Sequence, residues 1–321
     1  MKELQINKND AGQRVDKFLM KTFKILPASL MYKAIRKKDI KINSKRCKPD
    51  TKLLEGDILK LYIKDEFLEA TFDEYDFLKA PSNLDIIYED GNILLVNKKP
   101  GLIVHPDENY HFDSLIARIQ HYLYNKGEYD PRNENSFVPA LVNRIDRNTG
   151  GIVIAAKNAE SLRILNQKMK ARELKKFYLC IVHSTFKKKE DSLTAYLEKN
   201  EKQNRVYIHP QPRENTKTIT TKYRVIAEKG GFSLLEVELL TGRTHQIRAH
   251  MAFLGHPLLG DSKYGKNSIN KEKNYKWQAL YSHKLRFDFS TPAGALDYLN
   301  GKEFVAPKVW FEDDFYTFKW R

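Results

Sequence analysis

The sequence has little cysteine and no long apolar run. Only Cys47 and Cys180 are cysteines among 321 residues, which excludes a disulfide framework and favours a reducing compartment. No apolar run reaches the ~18 residues that a membrane span needs, and the amino terminus lacks the apolar core of a signal peptide. We therefore expect a cytoplasmic protein without a membrane partner.

Spacings typical of metal sites and activated nucleophiles are also missing. His245, His250 and His256 have no cysteine or paired acid at metal-ligand spacing, and HExxH and CxxC motifs are absent. There is no GxSxG turn to present a serine nucleophile. A glycosidase mechanism would need a second acid that no sequence feature selects. The sequence predicts neither a metal nor another cofactor.

Basic residues, by contrast, are in excess, with 56 Lys and Arg against 41 Asp and Glu. Such an excess favours a polyanionic partner. Residues 1–64 carry 17 basic against 7 acidic residues (net +10), and residues 65–82 carry 1 against 6 (net −5). Residues 83–321 carry 38 against 28, again a net of +10. We interpret these ranges as a small basic domain, an acidic linker and a large second domain.

Cationic segments follow one another in the first domain. A helix is predicted from Ser29, as its N-cap, to about Lys37, with Leu30, Ala34 and Ile35 inward. A short strand and a turn come next, and each carries further cations, which favours a phosphate-binding surface over an ordinary solvated face. The predicted RNA-binding residues are Lys33, Arg36 and Lys37 on the helix, Lys41 on the strand, Lys45 in the turn Ser44-Lys45, and Arg46 directly after that turn.

The same region resembles the S4 RNA-binding domains. Residues 14–19, 35–43 and 54–57 carry the similarity, which covers nearly all of residues 12–63. The resemblance implies a small α/β domain that binds structured RNA.

The stretch from Leu141 to Lys157 is the centre of the second domain. A polar loop, residues 143–151, holds one acid, Asp146, between Arg144 and Arg147, and a short β-branched run follows it. That run is typical of a strand buried on both faces, and the neighbouring guanidinium groups favour an ionised carboxylate. A turn with a surface ion pair is the alternative interpretation.

Further elements surround this stretch. Residues 86–98 predict a hairpin through an Asp-Gly-Asn turn, residues 114–124 a helix, and Asn158 the N-cap of a helix that ends near Lys170. Residues 175–182, 223–225 and 232–239 predict strands. Arg243, His245, Arg248 and His250 crowd the junction of a turn and a helix, where an anion would be favoured.

Taken together, these motifs resemble the RluA-type pseudouridine synthases, in the RluC- and RluD-like subgroup that acts on large-subunit ribosomal RNA. The similarity lies in residues 143–151, in Lys176 to Tyr178, in Gly242 to Arg248, and in shorter motifs near residues 255–265 and 282–283. Asn143, Ile145 and Gly150 depart from the usual His, Leu and Ser, whereas Arg144, Asp146, Thr149 and Gly151 match.

The resemblance implies a cofactor-free isomerisation of uridine in RNA. Asp146 would be catalytic, as a nucleophile or as a base, and Arg248 would pair with it. Arg144 would hold the extruded uridine, Tyr178 would stack on the uracil, and Ile247 would pack under Tyr178. A non-catalytic RNA-binding or ribosome-assembly factor on the same scaffold, and a synthase acting on transfer RNA, are the alternatives.

We accordingly expect an α+β fold: a mixed, mainly antiparallel sheet with flanking helices and a central catalytic cleft, preceded by the small S4-like domain. Structured RNA, in ribosomal RNA or in ribosomal precursor particles, is the expected partner of a monomer.

Overall fold

The computed structural model describes residues 1–69, 75–106 and 112–317. It contains two sheets, which are built by different parts of the chain. No helix within these residues is long and apolar enough to cross a membrane.

The amino-terminal sheet is small and antiparallel. Its strands have the order β1-β4-β2-β3, and two helices pack against it over a hydrophobic core of their own. The elements are β1 (Lys2–Gln5), α1 (Val15–Thr22), α2 (Ala28–Lys37), β2 (Ile40–Ile42), β3 (Lys45–Arg46) and β4 (Ile58–Leu61).

Two sequence predictions in this part are wrong in detail. Helix α2 begins at Ala28, not after Ser29, because Pro27 already has the extended backbone of an N-cap. Leu30, Ala34 and Ile35 pack into the core as predicted, with Leu30 partly buried, and Met31 is buried with them. Lys45, which was predicted in the turn, instead begins β3 together with Arg46. The turn is made by Asn43 and Ser44, whose positive φ angles of 49° and 65° suit a tight hairpin.

The second sheet has eleven strands and runs through the rest of the chain. Its main order is β11-β10-β12-β13-β9-β14-β8-β6-β5, with β15 on β14 and β7 on β8. The first elements are β5 (Ile86–Glu89), β6 (Ile93–Lys98), α3 (Leu115–Asn125), β7 (Ala140–Leu141), β8 (Gly150–Ala156), α4 (Ala159–Lys170) and β9 (Leu174–His183).

The remaining elements complete this sheet and its helical cover. They are β10 (Glu190–Asn200), β11 (Arg205–His209), β12 (Lys217–Lys229), β13 (Phe232–Leu239), α5 (Gln246–Phe253), α6 (Asn267–Glu272), β14 (Leu280–Phe287), β15 (Glu303–Val305) and α7 (Glu312–Thr317). Only the pairing of β14 with β8 is parallel among the described strands. The prediction of a mixed, mainly antiparallel α+β fold is confirmed.

Strand β8 is buried along its whole length, as its unbroken apolar run predicted. Ile152 and Ile154 belong to one hydrophobic cluster, whereas Val153 and Ala155 belong to another. Because successive side chains of a strand point to opposite faces, both faces of the central sheet are covered. Leu165 of α4 packs in the first cluster, and helices α3 and α5 contribute to the second.

Polar contacts join the two sheets' regions. The buried carboxylate of Asp10 accepts hydrogen bonds from Ser136 Oγ at 2.6 Å and from Asn135 Nδ2 at 2.7 Å. Asn9 accepts a hydrogen bond from the backbone of Ala159, at the start of α4. Of the described residues in the acidic segment, Leu68 packs in the amino-terminal core and Phe77 packs in the second cluster. The domain boundaries at residues 64 and 82 stay a prediction.

Candidate active site

The loop from Asn143 to Thr149 leads into the centre of the large sheet and is tied down at both ends. Asn143 Oδ1 accepts a hydrogen bond of 2.8 Å from the backbone of Ile154 on β8. At the other end, Thr149 Oγ1 accepts one of 2.8 Å from Gln278 Nε2. Asn143, a departure from the usual histidine of the motif, therefore fastens the loop to the strand.

The side chain of Lys98 holds the middle of the same loop. Its Nζ donates to the backbone oxygens of Arg147 at 2.9 Å, Leu102 at 2.8 Å and Lys99 at 3.1 Å. Three acceptors use all three N–H groups of an ammonium. Burial lowers the pKa of Lys98 to about 7, although the charge of Asp146 opposes that effect.

The two glycines that follow the loop allow close approach of another strand. A Cβ atom on Gly151, whose φ is +109°, would lie 2.2 Å from the backbone oxygen of Ser282 on β14. A Cβ atom on Gly150 would lie 2.4 Å from the ring of Tyr281. The glycine pair therefore permits the parallel contact of β8 with β14, and the Tyr281 ring occupies the space beside Gly150.

Asp146 stands at the loop's centre with its side chain 25% exposed. Its Oδ2 accepts a hydrogen bond of 2.8 Å from Nη1 of Arg248 on α5, so the pair suggested by the motifs is present. Within residues 1–69, 75–106 and 112–317, Oδ1 of Asp146 accepts no hydrogen bond. One carboxylate oxygen is thus held by the protein and the other is available.

Arg248 binds a second carboxylate, which the sequence did not reveal. Its Nε donates to Asp261 Oδ2 at 2.7 Å and its Nη2 to Asp261 Oδ1 at 3.0 Å. This is the two-point geometry for which a guanidinium is suited. The carboxylate of Asp261 is fully buried, and the backbone N–H groups of Lys263 and Tyr264 also donate to it.

The charges in this arrangement support one another. Burial raises the pKa of Asp261, but its hydrogen bonds to Arg248 outweigh burial and hold that pKa below the ordinary range. Burial likewise lowers the pKa of Arg248, and the contacts with Asp261 and Asp146 raise it above the ordinary arginine value. Arg248 is therefore a permanent cation beside Asp146.

Tyr178 and Ile247 belong to the hydrophobic cluster that also contains Ile145, the residue before Asp146. Tyr178 is on β9 and is 5% exposed. Burial raises the pKa of Tyr178 to about 12, and the charge of Asp146 acts in the same direction. Without a substrate, Tyr178 is therefore a buried residue of the hydrophobic core. Arg144, in contrast, is exposed on the loop.

The cationic junction predicted before α5 is only partly present. His250 is buried and its Nδ1 lies 3.0 Å from Thr221 Oγ1, and burial lowers its pKa to about 4, so it adds no cation. His256 stacks on Phe186 with a centroid distance of 3.9 Å. In the part of the chain that the structure describes, no three His, Cys, Asp or Glu side chains form a group that could hold a metal ion.

The cations predicted for RNA lie elsewhere, on the amino-terminal unit. Lys33, Arg36 and Lys37 are exposed on α2, and Lys45 and Arg46 are exposed on β3. Lys41 pairs in register with Arg46 on one side and with Lys60 on the other, and its ammonium lies 5.3 Å from the centre of the Tyr62 ring. The structure thus places the six cations on one helix and one neighbouring hairpin.

Comparison with known proteins decides the family. The family described as RNA pseudouridylate synthase matches residues 92–253. An uncharacterized RNA pseudouridine synthase of Mycoplasma capricolum is 34% identical over 97% of this chain and 99% of its own length. A ribosomal large subunit pseudouridine synthase C of Vibrio vulnificus is 32% identical over 90% and 89%.

The chain belongs to the RNA pseudouridylate synthase family. It is an isomerase that acts on uridine in RNA. The structure of human RNA pseudouridylate synthase domain containing 1 resembles it in fold, with a TM-score of 0.52 and 22% identity over 74% of this chain and 94% of that one.

Membership in this family gives the site its chemistry. Isomerisation of uridine to pseudouridine breaks the N1–C1′ bond and joins C5 to C1′; C5 loses a proton and N1 gains one. The loop of Asp146 lies within the matched residues.

Asp261 lies beyond them and is the main part of the site that sequence reasoning missed, because a Gly-Asp pair alone does not indicate a partner. The buried contact of Arg248 with Asp261 explains why an aspartate is needed at that position.

Proposed function

We propose that this enzyme converts uridines of large-subunit ribosomal RNA to pseudouridine, with Asp146 as the catalytic carboxylate. The proposal rests on the observation that the protein binds only one of the two carboxylate oxygens of Asp146 among the described residues. Arg248 binds Oδ2, while Oδ1 accepts no hydrogen bond among the described residues. An ionised carboxylate with one available oxygen can act on the ribose, as a nucleophile or as a base.

The other site residues take roles around this carboxylate. Arg248 fixes the carboxylate of Asp146 through its hydrogen bond to Oδ2. Arg144, exposed beside it, holds a uridine that has left the stack of bases, because the target atoms are unreachable inside a stack. Tyr178 stacks on the uracil and Ile247 supports that ring. Since Tyr178 is 5% exposed, its ring must be uncovered when the uridine enters.

A ribosomal substrate is supported by two features. Relatives from several bacteria are named ribosomal large subunit pseudouridine synthase C and align over about nine-tenths of this chain. We also propose that residues 1–64 are an S4-like domain that binds structured RNA, because its exposed cations lie on α2 and the β2–β3 hairpin. A +10 surface attracts phosphates irrespective of sequence. On this account the protein is a cytoplasmic monomer.

Mapping of pseudouridines tests the substrate. RNA from a deletion strain is compared with RNA from its parent, and from the deletion strain that carries the Asp146→Ala variant. Loss of specific pseudouridines in large-subunit ribosomal RNA in both mutant strains is expected. Loss confined to transfer RNA would make the second candidate, a transfer RNA synthase, the correct one.

A further inference from the structure

His245 has a backbone conformation that a histidine rarely adopts. Its φ of 53° lies in the left-handed region, directly before the first residue of α5. Its side chain makes no capping hydrogen bond to that helix and is only 10% exposed. A non-glycine residue in this region costs free energy and persists only where its surroundings impose it.

Tyr264 fixes the orientation of the His245 ring. The backbone N–H of Val206 donates to the Tyr264 hydroxyl oxygen at 2.9 Å, and that hydroxyl lies 3.1 Å from His245 Nδ1. Among the described residues, no other acceptor lies within hydrogen-bond distance of the hydroxyl. The hydroxyl hydrogen therefore points to Nδ1, which leaves the proton of the neutral imidazole on Nε2.

The protonated nitrogen faces the catalytic carboxylate. His245 Nε2 lies 3.9 Å from Asp146 Oδ2, the oxygen that Arg248 also binds. This distance is longer than a hydrogen bond, and such contacts commonly shorten when substrate binds. Burial lowers the pKa of His245; the charged groups that face it are Asp146 and Asp261, which oppose this, and Arg248 and Lys263, which add to it.

We propose that His245 is a positioning residue, held by Tyr264 with its Nε2–H toward Asp146 Oδ2, so that Oδ1 is the oxygen presented to the ribose. Arg248 on α5 and His245, which directly precedes α5, then face the same oxygen, and once the His245 contact shortens to a hydrogen bond the carboxylate cannot rotate. This inference rests on the proposed role of Asp146 and adds to it the groups that orient it.

Two substitutions of His245 separate this role from a purely structural one. In His245→Gln the side-chain amide can place an N–H where Nε2 stands. His245→Asn is too short for this, although asparagine tolerates the left-handed backbone better than glutamine. Rates are measured as tritium release from large-subunit ribosomal RNA transcripts labelled with [5-³H]uridine, in single turnover, with RNA affinity measured separately.

We expect the rate to fall ~10- to 100-fold in His245→Asn, the size of one lost hydrogen bond to a charged group, with RNA affinity unchanged. His245→Gln should recover most of the loss. An Asn variant as fast as, or faster than, the Gln variant would overturn the proposal. That order is expected if His245 matters only for its left-handed backbone, which asparagine adopts more readily than glutamine.

Tyr264→Phe supplies an independent test. It keeps the ring that lies between Arg205 and Arg248, with centroid distances of 5.1 and 5.3 Å, and removes only the hydroxyl. Neutral His245 can then carry its proton on Nδ1, which lowers the rate. The matched control is Tyr223→Phe, which removes another buried tyrosine hydroxyl, one that donates to the backbone oxygen of Lys188.

The pH dependence gives the decisive readout. Protonated His245 carries a proton on both nitrogens, so the rate of Tyr264→Phe relative to wild type should rise toward one as pH falls through the pKa of His245, which burial lowers below the ordinary value of ~6.5. A ratio that does not change with pH would overturn the proposal. Absence of tritium release in the wild type would instead contradict the proposed function itself.

Discussion

The ammonium of Lys98 lies 2.9 Å from the backbone oxygen of Arg147, the residue that follows Asp146. A side chain that is 1% exposed thus directs its charge to the backbone of the active-site loop. Gly101 donates to the same oxygen through its backbone N–H, also at 2.9 Å. The loop is thus held by a buried side chain that donates only to backbone oxygens among the described residues.

Lys98→Met should therefore loosen this loop. Methionine fills a similar volume but removes a donor from three backbone oxygens, and each buried group left unsatisfied costs ~1–3 kcal/mol. We expect a lower single-turnover rate with RNA affinity retained, because Lys98 is buried. Hydrogen exchange of residues 143–149 should become faster. Lys187→Met, at an exposed lysine, is the control, and equal exchange in the two variants would contradict the account.

The same lysine gives stability a definite pH dependence. Its folded-state pKa of about 7 lies below the unfolded value of ~10.4, so the unfolded chain binds more protons between these values. The contribution of Lys98 to the free energy of unfolding therefore rises with pH across this window. Urea unfolding at pH 7 and pH 10 should show a smaller rise in Lys98→Met than in the wild type. An identical pH slope would show that Lys98 does not titrate there.

Arg248 stabilises the fold through Asp261 and binds Asp146, so its removal should lower both the stability and the activity. In Arg248→Met the buried carboxylate of Asp261 loses its partner, which costs ~3–5 kcal/mol. Since the folded pKa of Asp261 is depressed, the stability from this pair is present above ~3.9 and is lost as pH falls through the folded value. Arg248→Lys keeps the charge without the two-point contact, so its loss should be intermediate.

Urea unfolding between pH 3 and pH 8 measures this directly. The difference in stability between wild type and Arg248→Met should be largest near neutral pH and shrink in acid. A difference that does not vary with pH would mean that the ion pair contributes nothing through its charge.

Local sequence patterns predicted the strand and the helix that follow Asp146. They did not predict the distant residues and strands that hold its loop in place. The apolar run of β8 and the cap of Asn158 on α4, which accepts from the backbone of Ser161 at 2.8 Å, depend on neighbouring residues only. In contrast, β14 enters the sheet between β8 and β9 from far along the chain. Sheet order and the choice of Asp261 as a partner depend on such distant contacts, which periodicity does not encode.

The edge of the large sheet was missed for a related reason. Strands β10 and β11 alternate exposed with buried positions and carry many charged residues, so their apolar signal is weak. Tyr178, in contrast, lies in a strand that the sequence did predict. A motif predicted its place near Asp146, whereas its burial followed from the strand pairing of β9 with β13 and β14.

The cations of the amino-terminal unit should control affinity rather than chemistry. Replacing Lys33, Arg36 and Lys37 together by Gln removes exposed charges from α2. Binding to ribosomal RNA transcripts should weaken, and the slope of log K against log salt should fall by ~0.7–0.9 for each phosphate that these side chains no longer neutralise. The single-turnover rate at saturating RNA should be unchanged. Unaltered affinity and slope would show that this face does not contact RNA.

The polar contacts of Asp10 should fix the amino-terminal unit on the rest of the protein. Asp10→Ala removes the acceptor of Ser136 and one of the two acceptors of Asn135, which also donates to the backbone oxygen of Gln5. We therefore expect a loss of ~1–3 kcal/mol. Hydrogen exchange should increase in residues 133–136 and at the start of α4. Asp50→Ala, at an exposed aspartate, is the control. Equal exchange in both variants would mean that these contacts do not hold the two parts together.

The central claim is that Asp146 carries out the chemistry, and Asp146→Ala tests it most directly. Phosphate binding comes mainly from Lys and Arg, so removing one negative charge should not weaken RNA affinity. The measurement is tritium release from [5-³H]uridine-labelled large-subunit ribosomal RNA in single turnover, with affinity determined on the same transcripts. We predict that release is abolished while affinity stays at the wild-type level or rises. Release within tenfold of the wild-type rate would contradict the account.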